Sequence, residues 1–198
     1  MKKEDLIKRL RNRNFPETII KAFEKIDREK FVLEEYRYAA YEDIPLPIGY
    51  GATISQPYTI AFMLNHLKVD DKQKILEVGS GSGYVLALLS ELSPNGKIFG
   101  IERIKELADS SKEKLKDYSN VKVICGDGSK GLSKEAPLER ILVSAASDKI
   151  PKRLIEQLDL NGIMVIPIKN SIFVLTKTKE GNIVEEYPGF RFVPLIEE

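Results

Sequence analysis

Apolar and polar positions along the chain follow two periods in turn. Residues 3–12 and 16–26 carry apolar side chains at helical spacing: Leu6, Ile7 and Leu10, then Ile19, Ile20, Phe23 and Ile26. This predicts two amphipathic helices, the second opened by Pro16, which suits a first turn. Residues 57–67 repeat the pattern with Ile60, Met63, Leu64 and Leu67 inward. Ser55 is placed to cap that helix and Pro57 to start it. Short apolar runs at 74–78, 97–101, 121–125, 140–144 and 163–168 then alternate with helical stretches at 84–92, 104–117 and 151–159. Pro94-Asn95-Gly96 and Asn161-Gly162 read as turns. Runs at 171–177 and 182–187 flank Glu180-Gly181-Asn182 with no helix between them.

The alternation predicts an α/β fold, a doubly wound and mostly parallel sheet with helices on both faces. Its helix-free tail predicts an antiparallel C-terminal end. Two stretches break the pattern. Asp27-Arg28-Glu29-Lys30-Phe31-Val32 reads as a short turn or helix whose charges form a solvated face. Residues 36–54 have no sustained period, yet hold several tyrosines, two prolines and two glycines. They are too apolar for disorder and too irregular for a long element. An ordered loop of that kind carries function, or else caps the core with its tyrosines. The division is residues 1–56 as a helical and irregular cap and 57–198 as the main unit, together one compact body.

Composition narrows the classes. A 198-residue chain with 42% apolar residues and no long apolar run can bury a core and does not span a membrane. A net charge of +1 leaves no electrostatic footprint for nucleic acid. Met1-Lys2-Lys3-Glu4-Asp5 carries acids and no apolar segment follows, so no secretory signal is expected. The single cysteine, Cys125, excludes an internal disulfide and fits a reducing cytoplasm. One histidine and one cysteine argue against metal enzymes and histidine-dependent hydrolases.

The candidate chemistry sits at Leu76-Glu77-Val78-Gly79-Ser80-Gly81-Ser82-Gly83-Tyr84. A strand passing directly into a helix through three glycines can bring backbone N–H groups close to a ligand. The dinucleotide fingerprint G-x-G-x-x-G is absent, because Tyr84 stands where its third glycine belongs. Glu77 would be unwelcome beside a pyrophosphate and suits a cofactor with a positively charged end. Glu102 ends the second strand, 23 residues past Gly79, where a carboxylate can accept from both ribose hydroxyls. Asp127 ends the third and can accept from an adenine amino group. Taken singly, either acid also reads as a turn or cap residue, and the glycine loop as a tight turn with no ligand. His66 is given no role. Four readings stand at this point: a methyltransferase acting on protein, a methyltransferase acting on RNA or a small metabolite, a non-catalytic cofactor sensor, and a dehydrogenase.

The glycine loop is similar to the first motif of class I S-adenosylmethionine-dependent methyltransferases. More of the chain resembles the protein-L-isoaspartate (D-aspartate) O-methyltransferase family. The resemblance runs from Asp27 onward through Asp27-Arg28-Glu29-x-Phe31-Val32, Tyr41-x-Asp43, Leu46-Pro47-Ile48-Gly49, Thr53-Ile54-Ser55-Gln56-Pro57, the glycine loop, Glu102-Arg103, Gly126-Asp127-Gly128, Pro151 with Leu154, Gln157-Leu158, and Arg191-Phe192-Val193-Pro194-Leu195. The Thr-Ile-Ser-x-Pro and Arg-Phe-Val-Pro-Leu segments are the specific ones. Ser80 replaces the family's usual threonine, Tyr58 stands where many members have histidine, and Ser144-Ala145-Ala146-Ser147 is a slight variant. A monomer is expected, though the sequence does not reveal the oligomeric state; the resemblance implies a class I methyltransferase fold. It implies repair methylation of isoaspartyl and D-aspartyl sites in damaged proteins, with S-adenosylmethionine as donor, S-adenosylhomocysteine as product and no metal. It implies Ser55 as the active-site serine. It places Thr53, Ile54, Glu77, Gly79, Ser80, Gly81, Ser82, Gly83, Glu102, Arg103, Gly126, Asp127 and Gly128 at the cofactor.

Overall fold

The computed structural model describes residues 1–195; the last three residues of the 57–198 unit lie outside them. Helices α1 (Lys3–Asn12) and α2 (Glu17–Lys25) come first. A hairpin of β1 (Leu46–Gly49) and β2 (Ala52–Ile54) precedes α3 (Pro57–Leu67). There follow β3 (Lys74–Val78), α4 (Tyr84–Leu92), β4 (Lys97–Glu102), α5 (Lys105–Lys114), β5 (Val121–Cys125), β6 (Leu138–Val143), α6 (Lys152–Gln157), β7 (Leu158–Ile168), β8 (Ser171–Thr178) and β9 (Gly181–Pro188). The main sheet has the order β5-β4-β3-β6-β7-β8-β9. It is parallel from β5 to β7. The last two pairings are antiparallel, because tight turns and no helices join these strands.

Alternate residues of each strand face opposite layers. Ile75, Ile98, Leu142, Ile163 and Val165 pack with the apolar faces of α1 to α4 in one cluster. Leu76, Val78, Phe99, Ile101, Ile141 and Val143 pack on the other side with Leu154 of α6. The N-terminal helices therefore share the core of the sheet. Each fully buried Leu or Ile here contributes about 1.5–3 kcal/mol over the exposed state. β9 is the outer edge strand, and Ile183 and Val184 on it are exposed.

As their irregular pattern implies, residues 36–54 form no long element; they hold the end of a 3-10 turn over Glu34–Ala39 and the β1–β2 hairpin. Strands of four and three residues are too short to show a period of two, and positive φ at Gly49, Tyr50 and Gly51 turns them. β7 begins at Leu158, so Asn161-Gly162 is no turn between elements. Leu138 pairs with Leu158 and Arg140 with Ile163, which makes residues 159–162 a bulge, with Asn161 at φ 63°. Gln56, not Ser55, is the N-cap of α3; its side chain makes no cap hydrogen bond, and Asp43 Oδ1 accepts from the first-turn Tyr58 N–H at 2.9 Å. Arg28 is not on a solvated face but fully buried.

Candidate active site

Strand order reverses between β3 and β6, and ligands of open α/β sheets lie beyond the strand ends at such a switch point. The glycine loop leaves β3 there. Gly79, Gly81 and Gly83 have φ of +79°, +50° and +86°, a region open to glycine but strained for other residues. A Cβ at Gly83, where α4 starts, would stand 2.8 Å from Leu115 Cδ1.

Strand register gathers three polar side chains on one face. Glu77 pairs with Gly100 of β4 and Leu142 of β6. Glu102 and Ser144 lie two residues beyond those partners and so share Glu77's side of the sheet. The Ser144 hydroxyl donates to Glu77 Oε1 at 2.7 Å, while Glu77 Oε2 is buried without a partner among the described residues. Burial, with the like charge of Glu102, pushes the Glu77 carboxyl up to about 8, against the downward pull of the Ser144 hydrogen bond. Glu102 is held differently. Gly81 N–H donates to its Oε2 at 2.8 Å and Ile104 N–H to its Oε1 at 2.9 Å, so the acid at the tip of β4 fixes the glycine loop.

Two cavities meet over this rim. The smaller, about 250 Å³, is lined by the glycine loop, the tip of β4, Gly128, Ser144 and Ala145, and the β1–β2 hairpin. The larger, about 930 Å³, is lined by Ser55, Gln56, Tyr58 and Phe62 around the start of α3, and by the end of β9 with the segment after it. Thr53, Ser144 and Val193 line both. Arg13 and Arg191 are the charged residues of the larger cavity's lining, which suits an anionic guest. The Ser55 hydroxyl makes no hydrogen bond among the described residues, whereas its carbonyl accepts from Arg28 Nη1 at 2.8 Å. Arg28 also donates from Nε to the Ala40 carbonyl at 2.8 Å and from Nη2 to the Ile44 carbonyl at 3.2 Å. Its guanidinium lies over the Tyr84 ring, and burial lowers it to about 10. This one side chain ties the Ser55 segment to the first residue of α4.

Of the residues singled out from sequence, Thr53, Gly79, Gly81, Glu102, Arg103 and Gly128 line the smaller cavity. Glu77, Ser80 and Ser82 are buried. Ile54 is buried in the core, and Gly83 packs against α5 and the residue after it. Gly126 N–H donates to the Glu102 carbonyl. Asp127 accepts from Ser129 N–H at 2.9 Å and pairs with Lys130 at 3.2 Å, capping the turn that presents Gly128. Sequence reasoning passed over the aromatic wall of the larger cavity, where Phe62 meets Tyr187 edge-on and Phe190 at a tilt. It also gave Ser144 no role. Only strand register brings Ser144 to the junction, and nothing local in the sequence signals that.

A glycine loop at the switch point, acids at the strand tips and a cavity opening onto a second one define a class I S-adenosylmethionine-dependent methyltransferase. The sequence profile described as protein-L-isoaspartate(D-aspartate) O-methyltransferase (PCMT) matches residues 1–198. The chain belongs to that family. It is 44% identical over 207 residues to the protein-L-isoaspartate O-methyltransferase of Ignicoccus hospitalis, covering 100% of this chain and 98% of the relative. It is 46% identical over 202 residues to protein-L-isoaspartate O-methyltransferase 2 of Archaeoglobus fulgidus, covering 98% and 92%. A Plasmodium falciparum chain assigned as the same enzyme, crystallised with S-adenosyl-L-homocysteine, superposes with a TM-score of 0.85 at 27% identity and 98% coverage of both chains.

Among the described residues no group of three or more His, Cys, Asp or Glu side chains could hold a metal ion. No helix among them is long and apolar enough to cross a membrane.

Proposed function

We propose that this chain transfers a methyl group to the α-carboxylate of L-isoaspartyl, and D-aspartyl, residues in damaged proteins, with Ser55 presenting the carboxylate. The observation that carries this reading is the pair of cavities joined at Thr53, Ser144 and Val193, with Ser55 on the wall of one and the glycine loop on the wall of the other. When bound, S-adenosylmethionine supplies an electrophilic methyl on a sulfonium. The residues fit it: backbone is accessible at the loop, Glu102 stands at the strand tip, and Glu77 offers an unpartnered carboxyl oxygen behind the loop.

A substrate carboxylate is ionised at neutral pH, so no general base is required. Negative and positive charge cancel as the reaction proceeds, and water stabilises the separated ions better than the transition state. Rate then comes from alignment and from excluding water. Ser55 donates its free hydroxyl to one carboxylate oxygen and aims the other at the methyl. Arg13 and Arg191 attract the anion. The aromatic wall and the neighbourhood of Val193 grip the flanking peptide chiefly through its backbone, which suits an enzyme meeting many damaged sequences. Gly79, Gly81 and Gly83 follow the methionine portion of the donor, Glu102 the ribose, and Asp127 the adenine, with Thr53, Ile54, Ser80, Ser82, Arg103, Gly126 and Gly128 shaping the pocket. A monomer working in a reducing cytoplasm on protein, not nucleic acid, agrees with the near-neutral charge and lone Cys125.

With a tritiated methyl donor, an isoaspartyl peptide is expected to be labelled and its normal-aspartyl twin left unlabelled. Equal labelling of both would sink the repair reading. Donor binding without transfer to either would favour a sensor. Glu102→Ala is expected to weaken S-adenosylmethionine by about tenfold or more, because it removes a charged acceptor and frees the Gly81 and Ile104 N–H groups together. An unaltered calorimetric titration contradicts the ribose assignment.

A further inference from the structure

Among the described residues, Glu77 is the buried acid at this rim whose carboxyl is half satisfied. Glu102 receives two backbone N–H donors, one on each oxygen. Glu77 receives only the Ser144 hydroxyl, on Oε1. Its Oε2 is sealed from water and meets no donor among the described residues. A carboxyl sealed from water and given a single donor holds its proton more tightly than one in solvent. The neighbours that bear on Glu77 are Glu102 from β4 and Ser144 at the end of β6, and no cation among the described residues offsets its burial. Ser144 in turn lines both cavities at the place where a methyl would cross.

We propose that Glu77 holds a proton in the empty site and surrenders it when a sulfonium donor is seated, so that the site offers a counter-charge to the donor and none to the neutral thioether product. This rests on the methyltransferase reading and deepens it: Glu77 tells donor from product by charge. The cycle balances. Glu77 releases one proton to solvent as the cationic donor enters. Transfer forms a bond between a substrate carboxylate oxygen and the methyl carbon, and breaks the carbon–sulfur bond, whose electron pair stays on sulfur. The sulfonium's positive charge and the substrate's negative charge disappear together. Glu77, left without a counter-ion, takes one proton back. The burial that raises its proton affinity is what makes the exchange complete near neutrality.

The test is calorimetric titration of the intact protein at pH 7 in buffers of differing ionisation enthalpy. S-adenosylmethionine is expected to release roughly one proton per site and S-adenosylhomocysteine close to none. Glu77→Gln is expected to abolish the difference in proton release and to weaken the donor more than the product. The wild-type protein gives a second reading that needs no variant. From pH 6 to pH 7 the donor's dissociation constant should tighten about tenfold while the product's stays flat. Heats independent of buffer, a pH-flat donor constant, or proton release that survives in Glu77→Gln each overturn the proposal. Failure to bind either nucleoside overturns the methyltransferase reading itself, and this proposal with it.

Discussion

Ser55→Ala is expected to lower kcat for an isoaspartyl peptide by roughly 10²-fold, the usual cost of removing one preorganised donor from a reacting oxygen. The substitution deletes one hydroxyl that makes no hydrogen bond within the described protein, so stability should move little. Ser55 lines the larger cavity and not the smaller one. The dissociation constant for S-adenosylhomocysteine should therefore hold, separating catalysis from cofactor binding. Single-turnover methylation beside calorimetry of both proteins measures the split. A variant that methylates at the wild-type rate shows that Ser55 is no more than wall.

Arg28→Met is expected to have the largest effect on stability. Methionine fills part of the volume but leaves the carbonyls of Ala40, Ile44 and Ser55 without their donors. The Ala40 carbonyl is buried and its orphaning costs about 1–3 kcal/mol, while those of Ser55 and Ile44 lie nearer solvent and cost less each. A total of about 3 kcal/mol or more corresponds to a fall in Tm of roughly 10 °C for a domain of this size. Loss of the tether also lets the Ser55 segment drift, so kcat should fall at temperatures where the variant remains folded. Arg28→Lys, which can reach fewer of the three carbonyls, should lie between. Thermal unfolding followed by circular dichroism decides: a Tm within about 2 °C of wild type would show that water replaces the guanidinium at no cost.

What the sequence disclosed and what it hid divide along a physical line. Glycines at 79, 81 and 83 after a five-residue apolar run, and acids at the following strand tips, are local signals, and the β3–α4 turn and the placing of Glu102 were legible from them. The α3 pattern with Pro57 at its start was legible for the same reason. Arg28 was not. Its neighbours Asp27, Glu29 and Lys30 argue for a solvated turn, and only the chain folding back at Ala40, Ile44 and Ser55 supplies the three carbonyls that bury it. Ser144 and the Phe62–Tyr187–Phe190 wall were equally opaque, since their partners lie far along the chain. The bulge at 159–162 imitates a turn because Asn161-Gly162 takes a turn-like backbone inside a continuing ladder.

The exposed edge strand β9 carries one more consequence. An unpaired row of N–H and C=O groups with Ile183 and Val184 beside it is a template for ladder growth from one molecule to the next. Glu185, Glu186 and the terminal Pro188 blunt that template by repulsion and by the missing donor. Guarding this border limits strand-to-strand growth between copies of the chain.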